Sequence, residues 1–157
     1  MNVKAFLADS VTNAEGKLYV QGAGWNVINA AAIPLRHDRI GIGILVIVPY
    51  TATNQNHGFE LRLEDADANL LPLGDAPPNV ELPEGKVRKL GGGFTVGRPP
   101  FLKAGDEQII AIAVNLDGLL FENEGGYRFV ITVDGNDQET LPFRVQKPPV
   151  VPGPILS

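Results

Sequence analysis

GGYRFVITVDGNDQETLPFRV, residues 125–145, decides the fold. Tyr127, Phe129, Ile131 and Val133 fall on one face, Arg128 and Thr132 on the other, which is the period of two that a strand requires. Asp134-Gly135-Asn136-Asp137 supplies residues that tolerate positive φ, so the chain reverses there. Leu141, Phe143 and Val145 then resume the alternation. The stretch reads as a β-hairpin.

Outward from the hairpin the same texture continues. Eighteen glycines and thirteen prolines interrupt the chain too often for long helices. Short β-rich runs lie between them: 2–7, 17–21, 27–28, 39–48, 59–63, 86–96 and 108–114. Residues 12–16 read as a turn. The 39–48 run, with Ile40, Ile42, Ile44, Val46 and Val48 on one face and Gly41, Gly43, Leu45 and Ile47 on the other, reads as a central strand covered on both faces. The 86–96 run reads as broken by Gly91-Gly92-Gly93, and Gly22-x-Gly24 as a bulge beside Trp25, which plugs the core. Residues 70–85 read as a long loop, and 117–126 as a loop with room for one helical turn. The expected fold is all-β: a two-sheet, immunoglobulin-like β-sandwich of eight or nine strands, with a closed barrel as the alternative.

The chain has 157 residues, enough for one core, and divides into a sandwich domain at 1–146 and an extended tail at 147–157. The tail, KPPVVPGPILS, holds four prolines that favour polyproline geometry. Its apolar content marks Pro148, Pro149, Val150, Val151, Pro152, Ile155 and Leu156 as a segment that lies on a partner.

Charge and composition narrow the function. Net charge is −5, which argues against a nucleic-acid partner. The one basic cluster, Lys86, Arg88 and Lys89, reads as a solvated strand edge. With no cysteine there are no disulfides or thiolate metal sites, a pattern compatible with the cytoplasm. The first ten residues lack a basic leader and long apolar run, so no signal peptide is expected. The apolar run at 40–49 is too short to span a bilayer, so no membrane partner is expected. The protein is placed in the cytoplasm, or on a virion or other particle assembled there.

Chemistry is sparse. A hydrolytic triad needs a nucleophile, a base and an acid. The chain offers two serines, Ser10 and Ser157, and two histidines, His37 and His57, which read as exposed loop residues. No cofactor and no catalytic residue are expected. The best metal candidate is Asp65, Asp67 and Asn69, which imitate the first three ligand positions of an EF-hand loop. Leu70 then stands where the turn glycine belongs and Ala76 where the bidentate Glu belongs. A strand-connecting turn is the simpler reading. Weak calcium binding would need Asp134 or Asp137 from a neighbouring loop. Tyr19 and Tyr50 read as buried at strand ends.

Three segments carry a resemblance: Ala8-Asp9 with Gly16-Lys17-Leu18-Tyr19 and Gly22-x-Gly24-Trp25; Gly97-Arg98-Pro99-Pro100; and Gly126-Tyr127 with Val133-Asp134-Gly135 and Leu141-Pro142-Phe143-Arg144-Val145. Over all but the tail, the chain resembles small uncharacterised bacterial proteins, mostly actinobacterial, with a domain of unknown function. The resemblance implies a β-sandwich and no assigned activity or ligand. The expected function is a non-catalytic structural or assembly module with a protein partner, as a homo-oligomer or on a larger bacterial or phage particle. The alternative is a small-ligand or calcium-dependent binding module using acidic loops. An enzyme is the least favoured.

Overall fold

The structure, a computed structural model, describes residues 1–149 and Gly153. It is all-β, with 61% of residues in strands and no α-helix among the described residues. Among the described residues twelve strands form: β1 Asn2–Ala8, β2 Ser10–Ala14, β3 Lys17–Gln21, β4 Val27–Asn29, β5 Leu35–Pro49, β6 Asn56–Asp65, β7 Gly74–Asp75, β8 Lys86–Val87, β9 Lys89–Thr95, β10 Glu107–Phe121, β11 Gly125–Val133 and β12 Asn136–Gln146. A three-stranded sheet has the order β1-β5-β10, and a five-stranded sheet the order β4-β12-β11-β6-β9. The pairs β2-β3 and β7-β8 are separate ribbons, and one sheet curls as a half-barrel.

The hairpin forms as its sequence dictates. β11 and β12 pair from Gly125↔Val145 to Val133↔Asn136. The turn is two residues, Asp134 and Gly135, with φ of 52° and 78°, as a primed turn demands. The register shifts at Ile131/Thr132, where Gln138 is the extra residue of a bulge.

β5 is the central strand of its sheet, antiparallel to β1 and β10. Its five inward side chains, from Ile40 to Val48, are all 0% exposed. They share one core with Leu61, Leu63, Phe129, Ile131, Phe143 and Val145 of the five-stranded sheet. Phe121 meets Tyr127 edge-on with ring centroids 4.9 Å apart, and Phe143 stacks on Phe129 at 5.5 Å. Such pairs add about 0.5–1.5 kcal/mol each beyond their area. Trp25 packs against this core, its indole N–H meeting no acceptor among the described residues.

The other face of β5 is covered by close approach. The Phe6 ring lies where a side chain at Gly43 would stand, and the backbone of Ser10 passes over Gly41. β2 therefore crosses the outside of the three-stranded sheet. Asn115 on β10 fastens it, accepting from Val11 N at 3.0 Å and donating to Val11 O at 2.7 Å. Asn13 Nδ2 donates to Ala111 O at 2.6 Å.

Several expectations are corrected. Residues 12–14 belong to β2, and only Glu15-Gly16 turns, with φ of 53° and 72°. Val27 and Ile28 do not continue β3; β4 joins the other sheet, parallel to β12. The proline-rich stretch contains β7. Residues 117–121 are strand with no helical turn: β10 runs on to Phe121. At Gly118 (φ 68°) its alternation flips, so that Leu119 and Phe121 become buried after Leu116. Gly91-Gly92-Gly93 does not break β9, whose pairing with β6 is continuous from Lys89 to Thr95. The break falls at Arg88, between β8 and β9.

A Cβ at Gly91 would sit 2.1 Å from Phe59 O, whereas at Gly92 it would meet nothing within 4 Å. Gly91→Ala is expected to cost about 1–3 kcal/mol by overpacking. Gly92→Ala is expected to be neutral or to stabilise by roughly 0.4–1 kcal/mol. Urea midpoints of the two variants check this.

Candidate functional site

A cleft lies at the end of the molecule where β6 finishes and β11 begins. It has a volume of about 780 Å³. Its walls come from the β6–β7 segment, the β7-β8 ribbon, the end of β10 and the start of β11. Buried Leu73 and Leu119 and half-exposed Leu120 give it apolar surface. Charge surrounds them: the carboxylates of Asp65, Asp67, Asp75, Glu84, Asp117, Glu122 and Glu124 against the cations of Arg36, Lys86 and Arg88.

Most of these charges are already engaged. Lys86 pairs with Asp75, which holds that carboxyl below its usual range. Arg88 Nη2 meets Glu84 Oε2 at 2.8 Å, and Arg36 Nη1 donates to Gly118 O at 2.7 Å. Asp117 turns to Arg39 at 2.6 Å. Glu124 Oε1 accepts from Lys147 N at 2.5 Å, so the chain beyond β12 departs from the rim of the cleft. Tyr127 donates to Asn123 O at 2.5 Å, and burial pushes its hydroxyl pKa up.

Asp65 builds a turn. Its carboxylate accepts from Asn69 N and Asp67 N, both at 2.9 Å, and from Asn69 Nδ2 at 3.1 Å. The donors from Asn69 and then Asp67 hold its pKa below the usual carboxylate value. Ala68 adopts φ of 64° to close the turn.

The structure does not bring the five metal candidates together. Asp65 and Asp67 line the cleft and Asn69 is bonded to Asp65 beside them, but Asp134 and Asp137 lie at the far end of β6 and β11. Tyr127 pairs with Asp65 and Val133 with Phe59; six residues of strand separate those pairs, about 20 Å. Asp134 is taken by His57 Nδ1 at 2.8 Å and Gly58 N at 2.9 Å. Asp137 is taken by Arg62 at 3.2 Å. Among the described residues no group of three or more His, Cys, Asp or Glu side chains is arranged to hold a metal.

Other placements also differ from the sequence reading. His57 is on β6, only 7% exposed, because both its ring nitrogens find acceptors inside. His37 is half-buried on β5. Tyr19 is 55% exposed. Lys86, Arg88 and Lys89 are each ion-paired. Pro148 and Pro149 are exposed; Val150, Val151, Pro152, Ile155 and Leu156 lie outside the described residues. Arg36, Glu122 and Tyr127 carried no signal as lining residues, since segments distant in sequence bring them together.

A family described as one of unknown function (DUF6941) matches residues 4–146. No curated protein matches the chain. Among solved structures, the Pseudomonas fluorescens alkylpurine DNA glycosylase AlkC, bound to DNA containing an abasic site analog, is similar at 14% identity with a TM-score of 0.41. The match covers 90% of this chain, which spans 30% of that one.

Asp65→Ala is expected to release the Asp67 and Asn69 amides, raising their hydrogen-exchange rates several-fold and lowering the melting temperature. Asp67→Ala, whose carboxylate holds no part of the turn, is expected to change neither. The Asp65 contribution is present above its unfolded pKa and lost as pH falls through the lower folded value, so the two variants converge in acid.

Proposed function

The chain belongs to the family of unknown function DUF6941, and from its surfaces we propose a non-catalytic structural or assembly module that docks on protein. The supporting observation is a contrast between the two outer faces. Outside the five-stranded sheet, Arg62 pairs with Glu64 and Asp137, Arg128 with Glu64 and Lys89 with Glu60, at 3.2–3.7 Å. That face is satisfied in water. Outside the three-stranded sheet, Ile109 is 62% exposed beside half-buried Ile47, its register partner. The β2-β3 hairpin carries exposed Tyr19 and Val20, and Phe101 in the loop ahead of β10 is 80% exposed. Exposed apolar side chains of this kind, against the charge-paired outside of the other sheet, favour a protein contact.

The partner in this reading is a second copy or a larger bacterial or phage particle, with residues 147–157 as an additional arm outside a 1–146 domain. The common core of the two sheets supports an immunoglobulin-like sandwich as the finer architecture. Among the described residues no helix is long and apolar enough to cross a membrane, and a cytoplasmic or particle-associated location suits such a module. We place the family in bacteria, mostly actinobacteria, on the motifs above.

A second reading rests on the cleft. Seven carboxylates against three cations around leucine side chains favour a small cationic or calcium-bound ligand, with Asp65 and Asp67 at its wall.

Native mass by light scattering tests the first reading. The expected result is a multiple of 16.8 kDa, reduced to one copy by Ile109→Lys with the β-sheet circular dichroism unchanged. A wild-type monomer whose mass neither variant nor removal of 148–157 alters, and which binds no particle, defeats it. For the second, titration with millimolar calcium is expected to release heat and raise the melting temperature, both lost in Asp67→Ala; no heat and no shift defeat it.

A further inference from the structure

We propose that His57 is held as an imidazolium and serves as a proton-operated latch that fastens the β5–β6 connection and the β11–β12 turn to β6. His57 Nδ1 stands 2.8 Å from Asp134 Oδ2, and Nε2 stands 2.7 Å from Ala52 O. A carboxylate and a carbonyl only accept, so each ring nitrogen must donate. A neutral imidazole carries one N–H; the imidazolium carries two. The arrangement is complete only with the proton on.

The surroundings make that proton structural. The ring is buried, with Phe94 of β9 tilted against it at 5.4 Å between centroids. Asp134 is fixed in place from both sides: Oδ1 accepts from Gly58 N at 2.9 Å, and its own N–H donates to Gly58 O at 2.9 Å. Ala52 ends a 3₁₀ turn, Tyr50–Ala52. Thr53 Oγ1 donates to Tyr50 O at 2.7 Å and accepts from Arg98 Nε at 2.8 Å, while the Arg98 guanidinium lies 4.0 Å from the centre of the Tyr50 ring. Asn54 N donates to Val96 O at 2.7 Å. One proton thus joins β6, the β11–β12 turn and the Tyr50–Ala52 turn, and through the last the Gly97-Arg98-Pro99-Pro100 segment.

Few charges face the ring. Asp134 from the β11–β12 turn favours the cation, and the amino group of Met1 opposes it. The Tyr50–Ala52 turn contributes a carbonyl and β9 a phenyl ring, neither charged. The Ala52 carbonyl, then the Asp134 carboxylate, raise the His57 pKa above its ordinary value against the cost of burial. Gly58 N, then His57, depress that of Asp134. The signs follow. The His57 contribution is fully present below its unfolded pKa and lost as pH rises through the higher folded value. The Asp134 contribution is present above its unfolded pKa and lost as pH falls through the lower folded value. The latch is closed between the two and opens on the alkaline side, when the ring gives its proton to solvent and one of its two bonds has no donor.

Nitrogen NMR of the His57 ring tests the latch directly. The expected spectrum at about pH 6.5, the ordinary histidine midpoint, has both ring nitrogens protonated. The midpoint is expected above that value, and Asn54 amide exchange is expected to rise beyond the intrinsic pH trend as the ring titrates. Asp134→Asn keeps an acceptor but removes the charge and is expected to lower the midpoint. His57→Gln has no ring to titrate and is expected to lose the alkaline fall in melting temperature. A neutral single tautomer at pH 6.5, or a midpoint that Asp134→Asn leaves unchanged, overturns the proposal. Should His57→Gln fail to fold, the wild-type and Asp134→Asn midpoints still decide.

Discussion

Strand β5 has to be covered on both of its faces, and most of the architecture follows from how each is covered. Its even-numbered residues from Ile40 to Val48 are branched and apolar, so the five-stranded sheet must lie across them. On the opposite face the strand carries Gly41 and Gly43, which leave room for backbone and ring rather than side chains. β2 uses that room. A strand with no Cβ at those positions lets a neighbour come close enough for Asn115 to grip Val11 through both of its backbone polar groups. Burying Val11 amides without such partners would cost about 1–3 kcal/mol each.

The outer surfaces divide the electrostatic work unevenly. Arg62 joins carboxylates of β6 and the β12 start, so the exposed side of the five-stranded sheet is cross-linked by charge. The pair with exposed Asp137 contributes at most about 1 kcal/mol, while Glu64 lies buried beneath Arg62. The three-stranded sheet lacks that lattice around Ile109. The acidic end, where the cleft opens, is separate from both.

How much of this is written in the sequence depends on range. The β11–β12 hairpin was fully legible because its pattern and its turn residues are local. β5 was legible because an unbroken apolar run admits few other readings. β2 was not, because Thr12-Asn13-Ala14 has turn composition and is held straight by pairing with β3. β10 beyond Asp117 was not, because Gly118 flips the alternation and makes a strand look like a loop. β9 reads as broken where glycine permits a close approach to Phe59, since a tight contact and a break have the same residue signature. At the candidate site, the Asp65 turn was visible as a cluster, but its separation from Asp134 depends on strand direction. His57 looked solvated because its acceptors, Ala52 and Asp134, are supplied by a bend and by a turn distant in sequence.

The two polar ends of the molecule share the same pair of strands. β6 leads from the buried histidine to the Asp65 turn, and β11 runs back beside it. Ionic screening at physiological salt acts over about 8 Å, well short of that span. Titrating one end therefore does not retune the other through space. A charge changed at one end stays out of electrostatic reach of the other while the ladder between them is unaltered, which makes this fold a two-terminal frame.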